Sequence, residues 1–335
     1  MKKNRVYNRR AICLGGLPIV CFLFLFPFFV NAEKSYLVYC LFLTFLYIAL
    51  AQGWNIIGGY AGQPSLGQHA FFGVGAYLMA MSWKAGWTGY LDPLAMFIAG
   101  IGAALLAAVI GIPLLSKLRG DYFALGTLGL GEILRVVFTQ GGALTGGPEG
   151  LMLPSSEYTS IMPFYFIAFF MALLSLLCIW ILARSRVGLA LIAIREDEQA
   201  AAANGIHVLK FKIIAFAMSG FFTGLCGCLF GYSLFIIDPA GFFSLKWALL
   251  PVLMTIMGGI GTIMGPIVGA FVWTTVFQLA DIWLPEIHPI FSGTFIILIM
   301  LFLPGGLMSL GKKASWRKTL QGMLPFRLSF RKREA

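Results

Sequence analysis

From about residue 11 to residue 310 the chain is a succession of apolar runs of about 20 residues, divided by short polar breaks. At 1.5 Å per residue, a helix of about that length crosses the roughly 30 Å hydrocarbon layer of a bilayer. Backbone polar groups in hydrocarbon must be satisfied internally, which leaves helices as the form these runs take. Hydropathy predicts spans near 11–30, 36–57, 65–82, 94–115, 121–138, 161–182, 213–237, 246–262, 265–281 and 290–310. The fold expected is all-α and polytopic, with about eight to ten transmembrane helices, some of them broken or re-entrant. Only 11% of the 335 residues are charged, against about a quarter in soluble proteins. A water-soluble enzyme of this size has no means of covering its surface with so few charges. Val30-Asn31-Ala32 resembles a signal-cleavage site, but the preceding apolar run exceeds the usual 7–15 residues and reads as a span.

Charge is concentrated at the two ends. Lys2, Lys3, Arg5, Arg9 and Arg10 give residues 1–10 a charge of +5, and residues 312–335 carry +7, while everything between sums to −1. Basic ends flanking apolar spans are positive-inside signals, so both termini are expected in the cytoplasm and the number of spans is expected to be even. The chain then divides into a basic N-terminus (1–10), a membrane domain (11–310) and a basic tail (311–335). With no folded domain to present a binding face, nucleic acid is not an expected partner; the lipid bilayer is. The six cysteines fall in apolar stretches and read as small packing residues.

Two segments interrupt the pattern. Residues 58–75, GGYAGQPSLGQHAFFGVG, mix six glycines and a proline with Gln63, Ser65, Gln68 and His69. Irregular backbone at membrane depth is tolerated only where it is buried in protein or lines a wet cavity, so this segment is either part of a substrate pathway or a site of close packing. Residues 258–269, GGIGTIMGPIVG, read as a glycine-rich hairpin between two short spans. Gly220, Gly224, Gly227 and Gly231 share one helix face, a packing signal. Within the span 121–138, Glu132 and Arg135 lie one turn apart and are able to pair. Neither belongs against lipid, where each costs about 2.5–3.5 kcal/mol at the bilayer centre; they form a structural ion pair or border a polar pathway. Gln63, Ser65, Gln68, Thr127, Glu132 and Arg135 are the candidate pathway residues.

The loop 183–212 carries Arg195, Glu196, Asp197, Glu198, then Ala200 to Ala203, Gly205 and Ile206. Acids at the positive end of a helix dipole, a run of the best helix former and a glycine able to adopt the left-handed cap predict a short helix there. Such a helix, tied to two spans, suits a push from a cytoplasmic partner. No DDxxD, HExxH or GxSxG pattern occurs, so catalysis is not expected, and the dispersed histidines suggest no metal site. Gly306 to Lys313 approaches a P-loop but lacks its final Ser/Thr, so any ATP used is expected on another polypeptide.

Three blocks, GGYAGQPSLGQHAFFGVGAY (58–77), LRGDYFALGTLGLGEILR with LTGGPEGL (118–151), and RSRVGLALIAIREDEQAAAANGI (184–206), together with MGGIGTIMGPIVGA (257–270), resemble the permeases of branched-chain amino-acid ABC importers, specifically their LivM-like half. The resemblance implies a non-catalytic transport subunit in a bacterial inner membrane. It also implies a homologous LivH-like second permease, two ATPase subunits that bind ATP and magnesium, and a periplasmic binding protein that delivers leucine, isoleucine or valine. The 184–206 block is similar to the family's ATPase-coupling loop, with Glu198, Ala200, Ala201, Gly205 and Ile206 matching and Arg195 and Glu196 adjoining. Gln199 departs from a strict Glu-Ala-Ala. Related permeases serve urea, short amides and other amino acids. An ion-coupled carrier built on Glu132 and Arg135 is the reading from a different class; a single clear intramembrane acid counts against it.

Overall fold

The computed structural model describes residues 20–30, 35–283 and 305–311, with a few isolated positions besides. Both basic ends and most of the predicted span 290–310 lie outside the described residues. The described chain is helical almost throughout. In order it forms α1 (Val20–Phe29), α2 (Tyr36–Trp54), which continues as a π-helical turn over Asn55–Tyr60, α3 (Gln68–Lys84), α4 (Pro93–Lys117), α5 (Asp121–Gln140) and α6 (Met162–Arg184). Two short helices follow, α7 (Arg186–Glu196) and α8 (Glu198–Ala203), then α9 (Val208–Leu234), α10 (Pro239–Phe242), α11 (Leu245–Gly258) and α12 (Gly265–Trp283). Among the described residues, six stretches are long and apolar enough to cross a membrane: Tyr36–Tyr60, Pro93–Lys117, Asp121–Gln140, Met162–Arg184, Val208–Leu234 and Pro239–Gly258. The chain is therefore a polytopic all-α membrane protein. At 17 residues α3 is short of a full crossing, because residues 61–67 are not helical and enter the bundle as irregular chain.

The connections gather at two ends. At one, β1 (Leu151–Met152) pairs antiparallel with β2 (Ile236–Ile237), Leu151 opposite Ile237, and the Tyr232 hydroxyl donates to the carbonyl of Gly89 at 3.0 Å. At the other end lie α7, α8, the α4–α5 turn and the 259–264 hairpin. This alternation is what an ordered series of membrane crossings produces. The outward faces of α4 and α5 are apolar and exposed, with Phe97, Leu105 and Val109 on one and Leu125, Ile133 and Val137 on the other. Such faces suit lipid or a membrane partner.

α9 is the central helix, packed along α4, α3 and α2. Its small-residue face serves two neighbours. A side chain at Gly224 would run into Ala103 and the carbonyl of Ala99 on α4, and one at Gly227 would overlap the carbonyl of Phe72 on α3. Backbones approach this closely only where side chains are absent, which is how helices gain van der Waals contact without a hydrophobic drive between them. Cys226 and Cys228 are fully buried on the same helix. Gly224→Leu is expected to force α4 and α9 apart at about 1–3 kcal/mol, lowering the thermal midpoint in detergent. Gly129→Ala on α5, where nothing lies within 4 Å, is expected not to lower the midpoint, because the added methyl meets nothing and alanine is the better helix former.

Candidate functional site

The interruption of α2 sets the geometry of the site. After Trp54 the helix widens into a π turn, and the amide of Gln63 returns to the carbonyl of Ile57 at 3.0 Å. Pro64 has no N–H to donate, so regular helix does not resume until Gln68. The broken backbone is held by side chains. The Trp54 indole donates to the carbonyl of Ser65 at 2.7 Å, and Thr127 of α5 accepts from the amide of Leu66 at 3.0 Å. The Gln68 amide donates to Ser219 at 3.1 Å, and its carbonyl oxygen accepts from Thr223 at 2.6 Å, both partners on α9.

A second set of amides clamps the 259–264 hairpin to α2. The Asn55 Oδ1 accepts from the amide of Gly261 at 2.9 Å, and its Nδ2 donates to the carbonyl of Thr262 at 2.9 Å. The Gln52 Nε2 donates to the carbonyl of Ile263 at 2.7 Å. Both side chains are fully buried, and an unpaired amide at such depth would cost several kcal/mol. They are therefore committed to the hairpin.

The candidate pathway residues divide into two groups. Gln63, Ser65, Gln68 and Thr127 are buried around the irregular segment; Ser65 and Thr127 accept from the backbone amides of Gly67 and Leu66, and Gln68 holds the Ser219 and Thr223 hydroxyls of α9. The Gln63 Oε1 has no hydrogen-bond partner among the described residues. Glu132 and Arg135 stand apart, farther along α5, as an ion pair of 2.7 Å. Their side chains retain 34% and 46% exposure, so the pair sits neither in the closed core nor fully in solvent. Arg135 borders a cavity of about 330 Å³. Gly131 leaves room for the ring of the fully buried His69, which a Cβ there would overlap.

The loop 183–212 contains two helices where the sequence suggested one. Glu196 closes α7, and Asp197 is the N-cap of α8, its carboxylate accepting from the amides of Gln199 and Ala200 at 2.8 and 2.9 Å. At the other end Gly205 adopts φ +82°, the amide of Ile206 returns to the carbonyl of Ala201, and that of Gly205 to Ala202. This is a Schellman closure. Ala201 faces inward, while Gln199, Ala200, Ala202 and Ala203 are exposed. The helix predicted to begin at 213 begins at Val208, which carries Lys212 into the bundle, fully buried.

Three cations join this region to the bundle. Glu198 pairs with Lys212 of α9 at 2.7 Å and lies 3.9 Å from Arg119 of the α4–α5 turn. Arg195 donates to the carbonyl of Gly59, in the π turn, at 2.9 Å, and also pairs with Glu196. Lys212, Gln52, Asn55 and Trp54 were not legible as site residues. The signal for the two amides was their i, i+3 placement in an otherwise apolar span, which demands a buried partner.

A helical bundle with broken backbone and buried amides at membrane depth has the architecture of a membrane transport protein. The family profile described as branched-chain amino acid transport system, permease component, matches residues 36–303, and the chain belongs to that family of ABC-importer permeases. It is 30% identical over 295 residues to the high-affinity branched-chain amino acid transport permease LivM of Escherichia coli, covering 79% of this chain and 68% of the relative. A probable branched-chain amino acid permease LivM of Methanocaldococcus jannaschii is 26% identical over 321 residues, covering 78% and 90% respectively. The autoinducer 2 import permease LsrC of Salmonella paratyphi B is 30% identical over 280 residues, 80% and 78% covered. No solved structure matches.

Removing the Glu198 carboxylate would strand a buried ammonium. Glu198→Lys is expected to destabilise the protein by about 3–5 kcal/mol, read as a lower thermal midpoint. The apolar pair Glu198→Leu with Lys212→Met is expected to recover most of that loss.

Proposed function

We propose that the chain is a non-catalytic permease subunit of an ATP-driven importer in a bacterial inner membrane, with both termini cytoplasmic. In this reading it translocates leucine, isoleucine or valine delivered by a periplasmic binding protein. It works beside a second, LivH-like permease and two ATPase subunits, which bind ATP and magnesium. Membership of the branched-chain amino acid permease family is the observation that carries the solute class. The LsrC relatives, named for autoinducer 2 import, support a wider range of solutes within the same machinery.

The coupling role falls to α8. Its exposed face consists of alanines and Gln199, small enough to seat in a cleft of another protein. Its buried face is fastened to α4–α5 and α9 through Glu198. A force applied to the exposed face therefore reaches three elements of the bundle. Arg195 carries the same displacement to the π turn through Gly59.

The assembled importer is the object to test. Ala200→Trp enlarges the exposed face without touching the buried one. It is expected to lower binding-protein-dependent leucine uptake in proteoliposomes by at least tenfold and to weaken co-purification of the ATPase, with the thermal midpoint of the subunit unchanged. Undiminished uptake and co-purification would remove α8 from the coupling role.

A further inference from the structure

The turn that joins α8 to α9 is flanked by two clefts. One, of about 500 Å³, is lined by Arg186, Leu189 and Ala190 of α7 and by Ile206, His207 and Phe211. The other, of about 550 Å³, shares Ile206 and His207 and is lined further by Val208, Leu209 and Lys210. Among the described residues, no acid lines either cleft.

The cations here differ from those that fasten α8. Arg119, Arg195 and Lys212 each lie 3.9 Å or less from a carboxylate. Arg184, Arg186 and Lys210 are exposed and have no such partner among the described residues. The Arg184 guanidinium instead lies over the ring of Trp180, 3.8 Å from its centroid.

That stacked pair fixes the depth of the first cleft. Phe170, Leu174, Leu177 and Ile181 are exposed at helical spacing and form one apolar stripe along α6. The stripe covers about 16 Å, close to one leaflet's share of the roughly 30 Å hydrocarbon layer. An apolar stripe that ends in a half-exposed tryptophan and an arginine marks a helix leaving hydrocarbon for headgroups. Arg186 follows Arg184 by two residues, at most about 7 Å of chain. The cleft that it lines therefore opens at the level of lipid phosphates.

We infer that this turn is a binding site for an anionic glycerophospholipid. Arg186 pairs with the phosphodiester, whose oxygens its planar fork matches, and His207 donates a hydrogen bond to it. Leu189 and Phe211 receive the glycerol and the upper part of an acyl chain, and Lys210 adds a second positive charge from the adjoining cleft. Basic pockets between helices bind anionic headgroups in this way. A soluble anion has no use for the aliphatic wall, and the depth set by Trp180 favours lipid over a protein partner. The bound lipid ties α7 to α9 on the two sides of α8. Its assignment to the cytoplasmic leaflet rests on the import reading above; the site itself does not.

The test uses the full-length protein purified in mild detergent, with bound lipid counted by native mass spectrometry. Dioleoylphosphatidylglycerol and dioleoylphosphatidylcholine are titrated separately. Each basic group near an anionic surface strengthens binding roughly fivefold, so the first phosphatidylglycerol is expected to bind at least about tenfold more tightly than phosphatidylcholine. Arg186→Gln and Lys210→Gln are each expected to lose part of that preference, and the double variant all of it. Lys117, at the end of α4, is also exposed and without a carboxylate partner among the described residues, but it lines neither cleft. Lys117→Gln is therefore expected to keep the preference. Without lipid, the thermal midpoints of all these variants are expected to match the wild type, since none of the three cations is paired. An excess of sodium phosphate is expected not to displace the lipid.

Equal affinity for the two lipids would overturn the site, as would a preference lost as fully with Lys117→Gln as with the double variant. Displacement by phosphate would assign the clefts to a soluble anion. A preference that survives the double variant, with the ATPase no longer co-purifying, would assign them to a protein contact. The import reading fails separately, through absence of leucine uptake by the complete importer while the lipid preference stands.

Discussion

The structure depends on how a broken helix is satisfied inside a membrane. Ending α2 in a π turn and running residues 61–67 without helix frees backbone groups that have no water to turn to. Trp54, Thr127 and Arg195 answer those groups at Ser65, Leu66 and Gly59. Asn55 and Gln52 do the same for the hairpin at 261–263. Because all of these bonds but the one from Trp54 join elements far apart in sequence, the irregular segment, the hairpin, α5 and α7 are held as one assembly.

α9 extends that assembly. Lys212, Ser219 and Thr223 are spaced by seven and four residues and share a helix face. Lys212 meets Glu198 of α8, while Ser219 and Thr223 meet Gln68 about 10 and 16 Å farther along the axis. A helix with its glycine face pressed on α4 and α3 has little freedom to bend between those points. In the importer reading, motion at α8 reaches the depth of the bundle as displacement of a rigid rod and of the Arg195 tether. The Glu132–Arg135 pair lies on α5, which has only four buried residues and so is less constrained than its neighbours.

Much of this was legible in the sequence because membranes impose one dominant rule. Apolar runs located the helices, the glycines and Pro64 marked where helix fails, and Gly205 marked the end of α8. The division of α7 from α8 at Asp197 was not legible, since Glu196 and Asp197 look alike as acids and only the capping geometry separates them. Lys212 read as a loop cation, because its burial depends on a partner fourteen residues away. Asn55 and Gln52 lay inside a predicted span, and their partners are more than two hundred residues distant. Ser65, Gln68 and Thr127 read as polar pathway residues; in the fold the side chains of Ser65 and Thr127 hold backbone and that of Gln68 holds Ser219 and Thr223. Polarity alone does not distinguish a group that faces a solute from one that satisfies the protein.

The central claim is that α8, the π turn and the hairpin move as one body. Spin labels at the exposed positions Ala202 on α8, Ile260 on the hairpin and Phe170 on α6 test it in the assembled importer, by distances measured without nucleotide and with ATP trapped in the ATPase subunits. The 202–260 distance is expected to be the same in both states while the 202–170 distance changes. A 202–260 distance that changes with nucleotide would contradict the account, because the Arg195 and Asn55 attachments would then not be carrying the motion.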